Sequence, residues 1–249
     1  MGGKAVGSRQ DTLNDTTEDL KLEAAWHAVK FVQPGMVLGL GAGSTAAFAM
    51  RRIAQLLHEG QLKDVLGIPC SHTVEAVARA LRIPLTTLED HPVIDLTIDG
   101  ADEVDPNLDL IKGGGGALLR EKIVAQASHR EVIVIAESKL SPQLGTRSPV
   151  PVEVVPFGWR SHRDFLESLG AEVLLRTAPD GAPFQTDQGN YVLDCRFRPI
   201  SEPSRLAVEL SQRAGIVEHG LFLGLATDVV VAGQGGLSHL KRGEPYDRY

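Results

Sequence analysis

Four short segments hold the residue types from which a reaction could be built. The first is Gly39-Leu40-Gly41-Ala42-Gly43-Ser44-Thr45. Glycines let backbone N–H groups approach an anion, and a helix starting there adds a partial positive charge. Ser44 and Thr45 add hydroxyl donors. The segment reads either as a phosphate cradle or as a tight turn with a serine N-cap. A dinucleotide fingerprint would place a third glycine at Ser44 and an acid at the end of the next strand, where Pro69-Cys70-Ser71 stands instead. A P-loop would need Gly-Lys before its Ser/Thr, and that lysine is missing. A small phosphorylated ligand therefore fits better than NAD or ATP.

The second segment is Asp99-Gly100-Ala101-Asp102-Glu103, directly after an apolar run. Acids so placed could bind Mg²⁺ or hydroxyl groups, or could form a solvated turn. The third is Lys112-Gly113-Gly114-Gly115-Gly116, followed by Ala117-Leu118-Leu119-Arg120-Glu121-Lys122. Successive glycines are costly to order, which favours a backbone wrapped around a ligand over a flexible linker. At ~100° per residue, Ala117, Leu118, Val124 and Ala125 lie within about 60° of Glu121 on a helix, with Arg120 and Lys122 roughly 100° to either side. A carboxylate on that apolar face would be desolvated, its pKa would rise toward neutrality, and it could serve as a general base; otherwise it is an exposed glutamate in a charged triplet. The fourth segment is Ala136-Glu137-Ser138-Lys139, whose lysine, like Lys21 further back, could neutralise a phosphate or simply be solvated.

These segments need a frame. A helix is predicted from about Glu18 to Val32, with Thr17 as N-cap, then strands at Met36–Leu40, Val65–Ile68, Leu85–Thr87, Val93–Ile98 and Glu131–Ala136. Helices at Ala46–Leu57, Thr73–Leu81 and Ala117–Ser128 alternate with them. Such repetition, with near-continuous apolar strands, predicts a parallel sheet covered by helices on both faces. After Pro149 the pattern changes. Strand Val150–Val155, helix Ser161–Leu169, an antiparallel pair Glu172–Arg176 and Tyr191–Phe197, and helix Pro203–Ala214 predict an α+β unit. The apolar stretch Leu221–Ala232 is expected to rejoin a sheet. The predicted division is a disordered tail at 1–17, a Rossmann-like catalytic domain from 18–148 and 221–249, and a small α+β domain at 149–220.

Composition narrows the function. Of 249 residues, 43% are hydrophobic and 23% charged, enough for a large core and against wholesale disorder. Aromatics at 5% and a net charge of −7, with no basic run, argue against nucleic-acid binding. No stretch approaches the ~18 apolar residues of a membrane span. Met1–Thr17 has no apolar core and is not expected to be a signal peptide. Cys70 and Cys195 form no disulfide framework or zinc spacing, so a reducing cytoplasm is expected, with Cys70 as a packed thiol. The eight histidines show no metal-binding spacing, and no metal is expected.

Taken together, Gly-Ala-Gly-Ser-Thr, Asp-Gly-Ala-Asp-Glu, Lys-Gly-Gly-Gly-Gly-Ala-Leu and Arg-Glu-Lys resemble ribose-5-phosphate isomerases of the A type, over about Asp19 to Ala232. The resemblance implies a Rossmann-like sheet with a smaller α+β (ferredoxin-like) domain, no metal or organic cofactor, and a homodimer or homotetramer. It implies the interconversion of D-ribose 5-phosphate and D-ribulose 5-phosphate in the non-oxidative pentose phosphate pathway. Carried over by position, Glu121 becomes the base, with Asp99, Asp102 and Lys112 catalytic and Asp99 assisting ring opening. Ala42, Gly43, Ser44, Thr45, Gly100, Ala101, Gly113, Gly114, Gly115, Lys139 and Lys21 bind substrate. Ala42 stands where the family often has threonine, which removes one hydroxyl from the loop. The alternatives are a sugar-phosphate sensor without catalysis, an aminosugar-phosphate isomerase, which would call for a catalytic histidine, and a CoA transferase, which would pass through a covalent glutamyl intermediate.

Overall fold

The structure, a computed structural model, describes residues 9–244. Residues 1–8 of the expected tail lie outside the described residues. In chain order the elements are α1 (Arg9–Val29), β1 (Val37–Leu40), α2 (Ser44–His58), β2 (Leu66–Pro69), α3 (His72–Ala80), β3 (Leu96–Asp99), β4 (Glu103–Val104), β5 (Leu110–Ile111), α4 (Leu118–Gln126) and β6 (Glu131–Ala136). They continue with β7 (Val150–Val154), α5 (Arg160–Ser168), β8 (Glu172–Leu175), β9 (Tyr191–Arg196), α6 (Pro203–Ser211), β10 (Ile216–His219), β11 (Leu221–Phe222), β12 (Asp228–Gly233) and β13 (Gly236–Lys241).

The main sheet has the order β13-β12-β6-β3-β1-β2, parallel throughout except for β13. β2 lies to one side of β1 and β3 to the other. The strand order therefore reverses at β1, and the loops after β1 and β3 diverge to leave a crevice at their carboxyl ends. The sheet is buried on both faces, as its apolar strands demand. Val132, Val134, Val230 and Ala232 pack with Ala24, Ala25 and Ala28 of α1 and Ala49 and Ile53 of α2. Their neighbours Ile133, Ile135, Val229 and Val231 pack instead with Val104, Leu110, Phe222 and Ala125. The second face is thus covered by α4 and by a three-stranded sheet, β11-β5-β4, as well as by helix.

The second large unit is a four-stranded antiparallel sheet, β10-β7-β9-β8. Its succession β7-α5-β8-β9-α6-β10 is a split β-α-β arrangement of ferredoxin-like type. Leu166 of α5 and Leu206 and Leu210 of α6 close its core over Val152, Val173 and Leu193.

Three expectations change. α1 starts at Arg9 rather than Glu18, so Thr17 lies inside the helix; no proline or glycine interrupts the chain between Arg9 and Val29. Leu85–Thr87 is no strand: Leu85 makes a single bridge to Gly67. Ile94 likewise bridges only Ser128, and β3 begins at Leu96. Among the described residues no helix is long and apolar enough to cross a membrane.

Candidate active site

The crevice holds a cavity of about 300 Å³. Its lining contains Lys21, Ala42, Gly43, Ser44, Thr45, Gly100, Ala101, Asp102, Lys112, Gly113, Gly114, Gly115, Glu121 and Lys139. The structure thus brings together the substrate-binding set and three of the four catalytic candidates. The fourth, Asp99, lies beneath them and is absent from the lining. A larger groove, about 790 Å³, opens between α3, the 82–89 loop and the Arg120–Ile123 side of α4. None of the expected residues lines it.

The loop after β1 is shaped by proximity. A Cβ on Gly41 would collide with Asp99, and one on Gly39 with Thr97, so only glycine lets β1 lie this close to β3. Gly43 is the N-cap of α2, in the left-handed region at φ 98°, where glycine is at ease. No side chain caps α2. The serine-cap alternative is therefore set aside: Ser44 is the first helical residue, and the amide groups at this end are free to meet an anion. Lys21 of α1 and Lys139, at the end of a 3₁₀ turn after β6, are half-buried on the same cavity.

Asp99 is tied to the loops that flank the cavity. Its Oδ1 accepts the N–H groups of Ala42 at 2.8 Å and Gly100 at 2.7 Å, and its Oδ2 faces Lys112 Nζ at 3.0 Å. It is 1% exposed. Asp99, expected to assist ring opening, thus has both oxygens on donors and lies behind the cavity wall. Asp102 is the acid of this segment that faces the cavity, and its Oδ2 accepts the Gly114 N–H at 2.7 Å.

Lys112 is 2% exposed and sits between acceptors: Gly100 O, Asp99 Oδ2, and Glu121 Oε1 at 3.1 Å. Burial alone would favour the neutral amine, but Asp99 and Glu121 outweigh it and hold the ammonium well above the usual lysine range.

Glu121 is 6% exposed in the first turn of α4. Burial pushes its pKa up from 4.5 to about 7; Lys112 opposes the rise and Asp99 adds to it. Oε1 meets Lys112, while Oε2 is buried with no hydrogen-bond partner. A near-neutral carboxyl with one uncommitted oxygen, on a residue that lines the cavity, is suited to taking a proton from a bound carbon. The helical-wheel expectation holds for Leu118, Val124 and Ala125, which are buried beside Glu121. Lys122 departs from it. It is buried too, because Glu218 and the His219 carbonyl receive its ammonium and tie α4 to β10.

Three neighbours stand outside the expected set of site residues, and Cys70 is the packed thiol that was expected. Cys70 is fully buried, and its sulfur and one oxygen each of Asp99 and Glu121 lie within 4.8 Å of one another. The Lys112 ammonium already supplies the positive charge at that spot, and burial pushes the thiol well up, as for a packed side chain. Glu103 is fully buried and accepts the N–H groups of Gly145, Thr146, Arg147 and Ser148. Arg176 reaches the glycine loop from β8, donating to Gly113 O and Gly114 O. Only the density of acids in 99–103 hinted at Glu103; nothing local to Arg176 signals its reach.

Comparison with known proteins places the chain among relatives. A sequence model of the ribose 5-phosphate isomerase A (phosphoriboisomerase A) family matches residues 66–236. Ribose-5-phosphate isomerase A of Chloroflexus aurantiacus is 60% identical over 225 residues, covering 90% of this chain and 94% of the relative. Ribose 5-phosphate isomerase from Plasmodium falciparum superposes with a TM-score of 0.88 at 40% identity, covering 91% of this chain and 100% of its own. A D-ribose-5-phosphate isomerase solved in complex with phospho-erythronic acid gives a TM-score of 0.89 at 37% identity, over 90% and 99% of the two chains. The chain belongs to the ribose 5-phosphate isomerase A family.

Proposed function

We propose that this cavity interconverts D-ribose 5-phosphate and D-ribulose 5-phosphate by proton transfer through an enediolate, with Glu121 as the base. The observation that carries the assignment is the buried Glu121 carboxyl, near-neutral in pKa and paired with Lys112, in the lining of the cavity. The substrate phosphate lies against the amides of Gly43 to Thr45, with Lys139 and Lys21 supplying charge. Binding energy from that remote group orients C1 and C2 at Glu121. Asp102, the acid on the cavity side, assists opening of the furanose ring. Glu121 then takes the C2 proton while the electron pair shifts through C1 to the C1 oxygen; the O2 hydroxyl proton passes to that oxygen, the pair left on O2 forms the C2 carbonyl, and Glu121 returns its proton to C1. The enediolate oxygen is stabilised by the Lys112 charge and by amides of the 113–115 backbone.

Glu121 can lose its proton near neutrality because Lys112 offsets part of the desolvation. Asp99 in turn holds Lys112 in place. The ammonium, both carboxylates and the amide donors supply the charge that the proposed proton transfer needs.

The finer reading is a cytoplasmic homodimer or homotetramer working in the non-oxidative pentose phosphate pathway. Family membership supports it, and two buried free thiols accord with a reducing compartment. The test is a coupled assay with ribose 5-phosphate in the presence of EDTA. Turnover is expected. Its absence in folded protein overturns the assignment, and abolition by EDTA overturns the metal-free mechanism. Phospho-erythronic acid, the ligand of the structural neighbour, carries an acid group and a phosphate and is expected to compete with substrate.

A further inference from the structure

We propose that Arg176, locked by Asp194, is a positioning residue for the reaction: its guanidinium sets the peptide planes of the glycine loop so that the Gly115 N–H faces the substrate. This rests on the isomerase reading of the cavity and adds to it a residue from the other sheet.

Arg176 directly follows β8, and its N–H extends that edge strand's ladder to Val192 O at 2.9 Å. Leu174 stands opposite Asp194 in the register. Side chains alternate along a strand, so Arg176, two residues on, shares a face with Asp194. Nε and Nη2 grip the two Asp194 oxygens at 2.9 and 2.5 Å. The remaining nitrogen, Nη1, donates to Gly113 O at 2.9 Å and Gly114 O at 3.1 Å. One planar group thus joins a fixed carboxylate to two successive carbonyls of the loop.

The consequence follows from trans-peptide geometry, in which C=O and N–H of one plane point in opposite directions. No cis peptide occurs among the described residues. With Gly113 O turned to Arg176, the Gly114 N–H must point away, and it is found on Asp102 Oδ2 at 2.7 Å. The next plane obeys the same rule. Gly114 O on Arg176 sends the Gly115 N–H away from the guanidinium. Gly114, Gly115 and Asp102 all line the cavity, and the proposed direction of that N–H is into it.

Four glycines have no side chains to stiffen them, so the loop's order must be imposed from outside. The Gly116 N–H closes a turn onto Gly113 O at 3.0 Å, and Phe184 packs where a Cβ on Gly116 would sit. Neither contact fixes the 114–115 plane. Arg176 alone among these does. A lysine could not replace it, since an ammonium lacks the rigid fork that serves Asp194 and both carbonyls together.

The test compares Arg176→Met, Arg176→Lys and Asp194→Asn with the wild type. Readouts are kcat and KM for ribose 5-phosphate, inhibition by inorganic phosphate, and the melting temperature. A donor aimed at the developing oxyanion acts in the transition state, so Arg176→Met is expected to lower kcat about 10- to 100-fold. KM and the phosphate inhibition constant should stay within about 2-fold, as for an interaction made only in the transition state. Arg176→Lys should recover little of the loss, and Asp194→Asn should fall between. Unchanged kcat in folded Arg176→Met, a loss confined to KM, or full recovery by lysine would overturn the proposal. If Arg176→Met does not fold, folded Asp194→Asn with wild-type kcat overturns it equally. Wild-type protein that does not turn over ribose 5-phosphate would instead sink the isomerase reading itself, and the two failures are distinct.

Discussion

Replacing Glu121 by glutamine keeps the shape of the side chain and removes the base, and it should do two things at once. The first is chemical. Ribose 5-phosphate incubated in D₂O with the variant should keep its C2 proton, read by NMR, while inorganic phosphate still binds. The second is energetic and has a sign fixed by the structure. Burial raises the folded-state pKa of Glu121 from 4.5 to about 7. Below pH 4.5 the carboxyl is neutral in folded and unfolded chains alike. Between 4.5 and 7 the unfolded chain ionises while the folded one resists, so folding loses free energy as pH rises. At ~1.4 kcal/mol per pH unit, the wild type should lose about 3 kcal/mol across that window relative to Glu121→Gln. Urea unfolding of both proteins from below pH 4.5 to above pH 7 measures the difference, and titrations common to both cancel. A difference that does not change with pH would mean that Glu121 is not desolvated. Persistent C2 exchange would mean that it is not the base. Either result refutes the reasoning.

Three other variants test the supports. Lys112→Met removes a cation 3.1 Å from Glu121, an attraction of ~5 kcal/mol at an effective dielectric of ~20. The acidic limb of kcat/KM should therefore move alkaline by at least about one pH unit, and a limb left in place counts against the pairing. Lys139→Ala should raise both KM and the phosphate inhibition constant about tenfold or more, as for a lost charge-assisted hydrogen bond; a change in only one of them denies Lys139 the phosphate. Glu103→Ala strands the amides of Gly145 to Ser148 and should cost ~3 kcal/mol or more in urea unfolding. An unchanged midpoint would show that solvent replaces the carboxylate.

What the sequence disclosed followed from local physics. The glycine turns, the strand ends and the apolar face around Glu121 are each set by neighbours a few residues away. They could be placed before any tertiary contact was known. The misses are contacts across the chain. β4, β5 and β11 are two residues long and exist only by pairing with one another. β13 carries no apolar alternation of its own and is defined by its ladder to β12. Lys122 reads as a surface charge until Glu218 arrives from 96 residues away. Arg176 meets the glycine loop across a separation of 62 to 63 residues, and no spacing rule reports such an encounter. Asp99 was legible as an acid at a strand end but not as one turned inward, because its direction depends on the amides of Ala42 and Gly100.

The five residues from Asp99 to Glu103 fasten three separate things. Asp99 anchors the lysine of the charge network, Asp102 pins the glycine loop, and Glu103 ties down the 145–148 passage that leads from β6 to β7. The pentapeptide is therefore a common rivet for the reaction centre and for the joint between the two large sheets. An insertion of a single residue there would throw every later carboxylate out of step with its partner. The turn at 180–181, largely exposed, has no such duty, so added residues are borne there but not within the pentapeptide.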